Sequence, residues 1–272
     1  MRRPMRRAVN HTLASGTSVL MFIPIYLVIV NSLKTDVDAR SMGLGLPDDP
    51  QFRNYDIVIE EGKLGRAFFN SVLYTVSATV LCVLCAAAAA AVLARNSTKL
   101  NRFIYLFLVI GIAMPINYVT LTKVMQLTHL VNTQFGIILL YAAFKLPFAV
   151  FVLYAFVHTV PVEVDEAAII DGCSPFQLFW RITMPLLRPA WITVGILTFL
   201  DLWSEFIIPL YFLSSSDKWP MTLAVYNFFG IYESSWNLVS ADVLLTILPV
   251  ILVFILGQRY IKSGMTAGAV KG

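Results

Sequence analysis

Residues 67–94 read AFFNSVLYTVSATVLCVLCAAAAAAVLA, 28 positions without an Asp, Glu, Lys or Arg. A helix rises about 1.5 Å per residue, so roughly 20 of these residues cross the ~30 Å of hydrocarbon in a bilayer. Working outward, residues 8–33 are equally free of charge. Four more apolar segments follow. They are 103–126 with Lys123 near its outer end, 135–158 with Lys145 inside, 190–213 with Asp201 and Glu205, and 239–261 with Asp242 near its start and Arg259 near its end. The expected fold class is therefore all-α, a polytopic membrane protein with six transmembrane helices. The fifth span has the weakest hydropathy, because two carboxylates are costly in lipid.

The composition agrees. Of 272 residues 58% are apolar and 13% charged, and mean hydropathy is +0.76, whereas a soluble domain carries about 25% charged residues. One aqueous core of this size cannot hide so many apolar side chains, which argues against a cytosolic enzyme or a nucleic-acid-binding module. The net charge of +4 says less than where the basic residues fall. Arg2, Arg3, Arg6 and Arg7 precede the first span, Arg95, Lys99 and Arg102 follow the second, Arg181 and Arg188 follow the fourth, and Arg259, Lys262 and Lys271 close the chain. By the positive-inside rule that side is cytoplasmic, and so are both termini. The long outer loop from Lys34 to Arg66 holds five basic and seven acidic residues and is nearly neutral. The first apolar segment is long for a signal peptide and lacks a convincing small-residue cleavage site, so it reads as a retained helix. The expected organisation is a cytoplasmic N-terminus (1–11), a first span with its outer loop (12–66), a five-helix core (67–261) and a cytoplasmic tail (262–272).

Cys82 and Cys85 stand at i, i+3 in the second span, where packing is a better reading than metal or redox chemistry. Cys173 is expected to be cytoplasmic and reduced, and no disulfide framework is implied. His11, His129 and His158 lie near predicted span ends or loops. No H-E-x-x-H, G-x-S-x-G or P-loop pattern occurs, so the chain has no catalytic constellation and no ATP-hydrolysing motif.

The loop at 160–189 carries local signals for two short helices. Pro161 suits a helix start, Glu163, Asp165 and Glu166 sit where the dipole favours negative charge, and Gly172 suits the position that stops the helix. Ser174 then caps a second helix, with Pro175 first and Gln177 three residues on, a capping-box pattern. Phe176, Leu178, Phe179, Trp180 and Ile182 make it apolar enough to lie at the membrane interface or on the bundle, and Pro185 and Pro189 lead into span five. The result is a helix-turn-helix elbow projecting into the cytoplasm. Ala167 and Ala168 are expected to leave one of its faces flat, so that another protein approaches closely.

Glu166-Ala167-Ala168, Asp171-Gly172, Ile182, Pro185 and Pro189 resemble the EAA motif of ABC-importer permeases. Other fragments extend the resemblance to the carbohydrate branch of that family. They are Asn54-Tyr55, Asn70-Ser71, Val131-Asn132-Thr133, Leu146-Pro147-Phe148, Trp203-Ser204-Glu205-Phe206, and the ending from Gln258-Arg259-Tyr260 through Gly264 and Gly268 to Lys271-Gly272. That ending is similar to those of permeases like the second membrane subunit of the maltose/maltodextrin importer. The resemblance implies a type I importer permease fold and a bacterial or archaeal plasma membrane. It assigns ATPase docking to Glu166, Ala167, Ala168, Asp171 and Gly172. Cys173 stands where the family more often has Ala. The implied partners are a second, homologous permease, two ATPase subunits and an extracytoplasmic solute-binding protein. ATP and Mg would be bound by the ATPase partner, and no cofactor by this chain. A di- or oligosaccharide is the implied substrate, with a polyol phosphate as the variant.

Polar groups inside the spans are the remaining candidates. Asp201 and Glu205 are i, i+4 and share a helix face; Lys145 is the one basic residue deep in a span. A charge there costs about 2.5–3.5 kcal/mol on insertion scales, so it should meet a partner or a wet cavity. A Lys145–carboxylate bridge that fixes packing and a polar wall of a translocation path both fit. Trp203 reads as packing more readily than as a sugar-stacking surface. Asn117 after Pro115 suits a kink that exposes carbonyls to the path. The alternative function is an ion-coupled secondary transporter using Lys145, Asp201 and Glu205. No inverted repeat supports it and it leaves the elbow unexplained. A membrane-embedded enzyme lacks a nucleophile–base pair.

Overall fold

A computed structural model describes the backbone of residues 2–229 and 234–269 and the side chains of 10–229 and 234–260. The expected charges at Arg2, Arg3, Arg6, Arg7 and Lys262 lie outside the described side chains, and Lys271 lies outside the described residues. In chain order the helices are α1 (Arg2–Ser32), α2 (Asp36–Ala39), α3 (Arg53–Glu60), α4 (Leu64–Arg95), α5 (Lys99–Ile110), α6 (Tyr118–Leu127) and α7 (Gln134–Val157). There follow α8 (Val162–Ile170), α9 (Pro175–Leu178), a π-helical turn (Phe179–Thr183), α10 (Met184–Leu186), α11 (Arg188–Trp203), α12 (Ile207–Phe212), α13 (Met221–Ala224) and α14 (Trp236–Ala269). No strand occurs among the described residues beyond one isolated bridge, Phe229 with Ser234.

Four helices are long and apolar enough to cross a membrane: Asn10–Ser32, Leu64–Arg95, Gln134–Val157 and Trp236–Tyr260. A fifth is reached if Pro175–Leu186 and Arg188–Trp203, bent by 76°, count as one span. The third and fifth expected spans are not continuous helices. The third is divided into α5 and α6 by a non-helical stretch at 111–117, where Pro115 supplies no N–H and Asn117 caps the next helix, accepting the N–H of Thr120 at 3.1 Å. The fifth breaks at Ser204–Phe206 between α11 and α12.

The chain forms two compact units. One comprises the residues up to Ala67 with Met221–Pro249. Its centre is a buried amide network. The Asn54 side-chain amide donates to the carbonyls of Ser32 (2.8 Å) and Lys34 (2.9 Å), the last residue of α1 and the second residue beyond it, and accepts from Asn237 (3.0 Å). Carbonyls at a helix end have no intrahelical partner, so this side chain does the work of a cap. Lys34 is itself buried and donates to Asn31 Oδ1 and to the Gly43 carbonyl.

The other unit comprises Phe68–Pro220 and the residues from Val250 on. Its core joins Tyr74, Ala78, Ala86, Ala87 and Ala90 of α4 to Ile137, Tyr141, Val150 and Leu153 of α7 and to Leu187 and Val194 at and beyond the start of α11. Small residues let helices approach closely where lipid provides no hydrophobic drive, and the alanine run of α4 is used in that way. Cys82 is buried and Cys85 exposed, so the pair does not share a buried face. Gly257 on α14 is a close approach as well, since a Cβ there would stand 2.9 Å from Ile196 Cγ2. Asn70 repeats the Asn54 device. Its amide donates to the carbonyls of Asp217 (3.0 Å) and Trp219 (3.1 Å), and the Tyr74 hydroxyl donates to that of Lys218 (2.8 Å).

Candidate functional site

The elbow at 160–189 forms as its local chemistry dictates. Pro161 is the N-cap of α8 and Val162 its first residue, one position later than the sequence suggests. Glu163 and Asp165 occupy the first turn, where the exposed N–H groups favour negative charge. Gly172 adopts φ +81°. Its N–H donates to Ile169, and that of Cys173 to Ala168, both at 3.0 Å. This is the Schellman arrangement that a left-handed glycine permits. The Ser174 hydroxyl accepts the N–H of Gln177 (3.3 Å), and Gln177 Oε1 accepts that of Ser174 (2.9 Å), closing the capping box. The π-helical turn was not legible in the sequence. It widens the helix after α9, and the chain then bends at Leu187, where Trp191 Nε1 donates to the Met184 carbonyl at 3.1 Å.

Glu166, Ala167, Asp171 and Gly172 are exposed, as are Ile169 and Ile170. Ala168 turns inward and is 5% exposed, so the flat face expected of both alanines is supplied by Ala167 alone, flanked by the isoleucines. Two consecutive isoleucines open to solvent at a helix end make an apolar spot of the sort that protein contacts cover. A cleft of about 1100 Å³ lies between the ends of α4 and α7, α8 and the α9–π segment, lined by Ala91, Arg95, Val160, Glu166, Phe176 and Trp180 among others.

Arg95, the last residue of α4, holds this elbow by contacts that no sequence motif announced. Its Nε lies 2.6 Å from Asp165 Oδ2, and both terminal nitrogens donate to the Val160 carbonyl at 3.1 Å. The partners are 65 and 70 residues away in sequence, so only the fold reveals them.

Within the spans, the two helix breaks and α7 enclose a cavity of about 420 Å³, with Gly111 and Met114 from the first break, Phe144 and Lys145 from α7, and Asp201 and Glu205 from α11 and the second break. Lys145 Nζ pairs with Asp201 Oδ2 at 3.0 Å. Glu205 is turned to its own backbone: Oε1 accepts the N–H groups of Ile207 (2.8 Å) and Ile208 (3.1 Å), the opening of α12. Pro209, in the first turn of α12, is the sequence signal that a helix restarts there. Lys145, Asp201 and Glu205 are thus brought together. Trp203 is 3% exposed and packs against Phe68 and Phe199 with ring centroids 6.0 and 5.6 Å away. Asn117 is exposed at its capping position, and neither it nor Trp203 is among the residues lining the cavity.

Residues 82–266 match the family described as binding-protein-dependent transport system inner membrane component. The chain is 35% identical to the diacetylchitobiose uptake system permease protein NgcG of Streptomyces coelicolor over 96% of this chain and 88% of that one. It is 32% identical to the melibiose/raffinose/stachyose import permease protein MelC of Bacillus subtilis over 96% and 95%. In fold it is similar to a chain of a bacterial ABC transporter involved in the import of the acidic polysaccharide alginate, with a TM-score of 0.81 at 21% identity, covering 96% of this chain and 98% of that one.

Proposed function

Because the chain belongs to the family of binding-protein-dependent transport system inner membrane components, and is a permease subunit of an ABC importer, we propose that it forms half of the translocation pathway of an ATP-driven sugar importer. It couples to a separate ATPase through α8. The observation that carries this reading is the built elbow, with Glu166, Ala167, Ile169 and Ile170 presented outward on a helix whose C-terminal end is closed by the Gly172 turn and followed at once by the capping box of α9. Arg95 ties its first turn to the end of α4.

Six spans are part of the proposal, the third completed by α5 with α6 and the fifth by α11 with α12. Non-helical backbone at membrane depth is tolerated where it lines a cavity or is buried in protein, and both breaks line the cavity around Lys145. Lys145 and Asp201 form one polar wall of the path. Glu205 restarts α12 beside it. ATP binding closes the ATPase pair, moves α8 and turns the bundle from inward-open to outward-open, and the solute-binding protein then delivers its sugar. Each ligand favours the state it contacts better. A second homologous permease supplies the other half, the two ATPase subunits bind ATP and Mg, and both termini are cytoplasmic. Relatives named for diacetylchitobiose and for melibiose, raffinose and stachyose support a di- or oligosaccharide. Family membership disfavours the ion-coupled alternative, and the Lys145–Asp201 pair and the Glu205 cap give its three groups structural roles.

Co-purification tests the reading. Glu166→Lys, which reverses a charge on the outward face, should abolish association with the ATPase subunits while leaving the permease pair intact. Retention of the ATPase at parental stoichiometry overturns it. A thermal-shift screen of the neighbouring binding protein against these oligosaccharides identifies the sugar.

A further inference from the structure

We propose that Arg95 is a positioning residue that latches the elbow to α4, so that motion of α8 is carried along α4 to the loop at 217–219. The inference rests on the coupling role given to α8. Its basis is the convergence of three contacts. One guanidinium contacts the Asp165 carboxylate in the first turn of α8 and, with two nitrogens, the Val160 carbonyl in the connection between α7 and α8. Arginine presents its donors in a rigid planar fork, so satisfying both partners fixes α8 and its hinge relative to the end of α4 in direction as well as distance. The Arg95 and Asp165 side chains are only 21% and 14% exposed, which limits competition from water.

The other anchor makes this consequential. Asn70 and Tyr74, near the start of α4, bind the carbonyls of Asp217, Lys218 and Trp219. From Asn70 to Arg95 a continuous helix spans about 38 Å. A rod held at one end by the elbow and at the other by a distant loop passes displacement between them. Local fluctuation of α8 alone cannot do so if the latch holds.

The test needs no sugar. Spin labels are placed at Glu163 of α8 and Phe69 of α4, both exposed, in a chain whose three cysteines are replaced by alanine. The labelled chain is assembled with its partner permease and ATPase subunits. With the latch intact, Mg-ATP leaves the label-to-label distance unchanged while hydrolysis proceeds. In the fraction of Arg95→Ala that assembles with the ATPase, the distance broadens and shifts with nucleotide by on the order of 2–5 Å, the scale of helix displacements in switching proteins. Arg95→Lys, which keeps the charge but not the planar fork, and Asp165→Asn, which keeps the Val160 bonds, give smaller shifts. An invariant distance in assembled Arg95→Ala overturns the latch, as does a shift already present in the parent. Glu166→Lys separates the two claims. If it retains the ATPase, the coupling role fails and the latch has nothing to transmit. If it loses the ATPase while Arg95→Ala stays invariant, the latch alone is wrong.

Discussion

Lys145 and Asp201 offer a prediction whose size follows from geometry. At the observed 3.0 Å, two unit charges attract by about 5–6 kcal/mol at an effective dielectric of 20 and by roughly 1.4 kcal/mol in bulk water. The Lys145 side chain is 27% exposed and that of Asp201 62%. Solvent in the cavity screens the carboxylate strongly, and the pair belongs nearer the lower value. Desolvating Lys145 takes back part of the rest. A coupling of about 1–3 kcal/mol remains, or roughly 5- to 150-fold. Lys145→Met keeps the apolar stem and strands the carboxylate; Asp201→Asn keeps the shape and strands the ammonium. Each single variant should reduce the thermal stability of the purified assembly and slow ATP-driven uptake. The double variant, with both charges gone, should recover much of the loss. Initial uptake rates and melting temperatures for the four proteins give the coupling directly. Additivity within about 0.3–0.5 kcal/mol would refute the claim that this pair sets the geometry of the cavity wall.

Other changes reach different parts of the chain. Gly172→Val places a β-branched residue at φ +81°, at a cost of about 1–2 kcal/mol; the elbow should loosen and ATPase co-purification fall, while Gly172→Asn retains most of it. Asn70→Ala leaves the carbonyls of Asp217 and Trp219 without their amide donor and should lower stability by about 1–3 kcal/mol, read as a shift in melting temperature. Gly257→Leu forces side-chain atoms into Ile196 of α11, an overpacking of about 1–3 kcal/mol that should reduce yield of the folded chain in a detergent-stability assay, with Gly257→Ala milder.

What the sequence made legible divides along physical lines. Gly172, Ser174 and Gln177 act within a few residues of themselves, so their caps were readable from spacing. The long spans were readable because apolar runs answer to lipid rather than to a particular neighbour. Breaks inside apolar segments were harder. Pro115 with Asn117 suggested a kink and the chain makes a complete interruption at 111–117. The break at Ser204–Phe206 is masked by the apolar residues on both sides, and Glu205, which reads as a pathway charge, lines the cavity and also accepts the N–H groups of Ile207 and Ile208. The π-helical turn at Phe179–Thr183 carries no sequence mark. Lys145 was expected to find a carboxylate, but which one depended on the approach of α7 to α11. In the sequence Arg95 reads as a cytoplasmic charge, and Asn54 and Asn70 read as family landmarks. Their roles rest on partners up to 183 residues away, which periodicity cannot supply.

The most direct test of the whole account is uptake into proteoliposomes carrying the full assembly, with the loaded binding protein outside and Mg-ATP enclosed, measured with and without a protonophore in the parent and in Glu166→Lys. The account predicts accumulation that requires ATP, ignores the protonophore and disappears in Glu166→Lys. Uptake that continues without ATP and collapses with the proton gradient would contradict it.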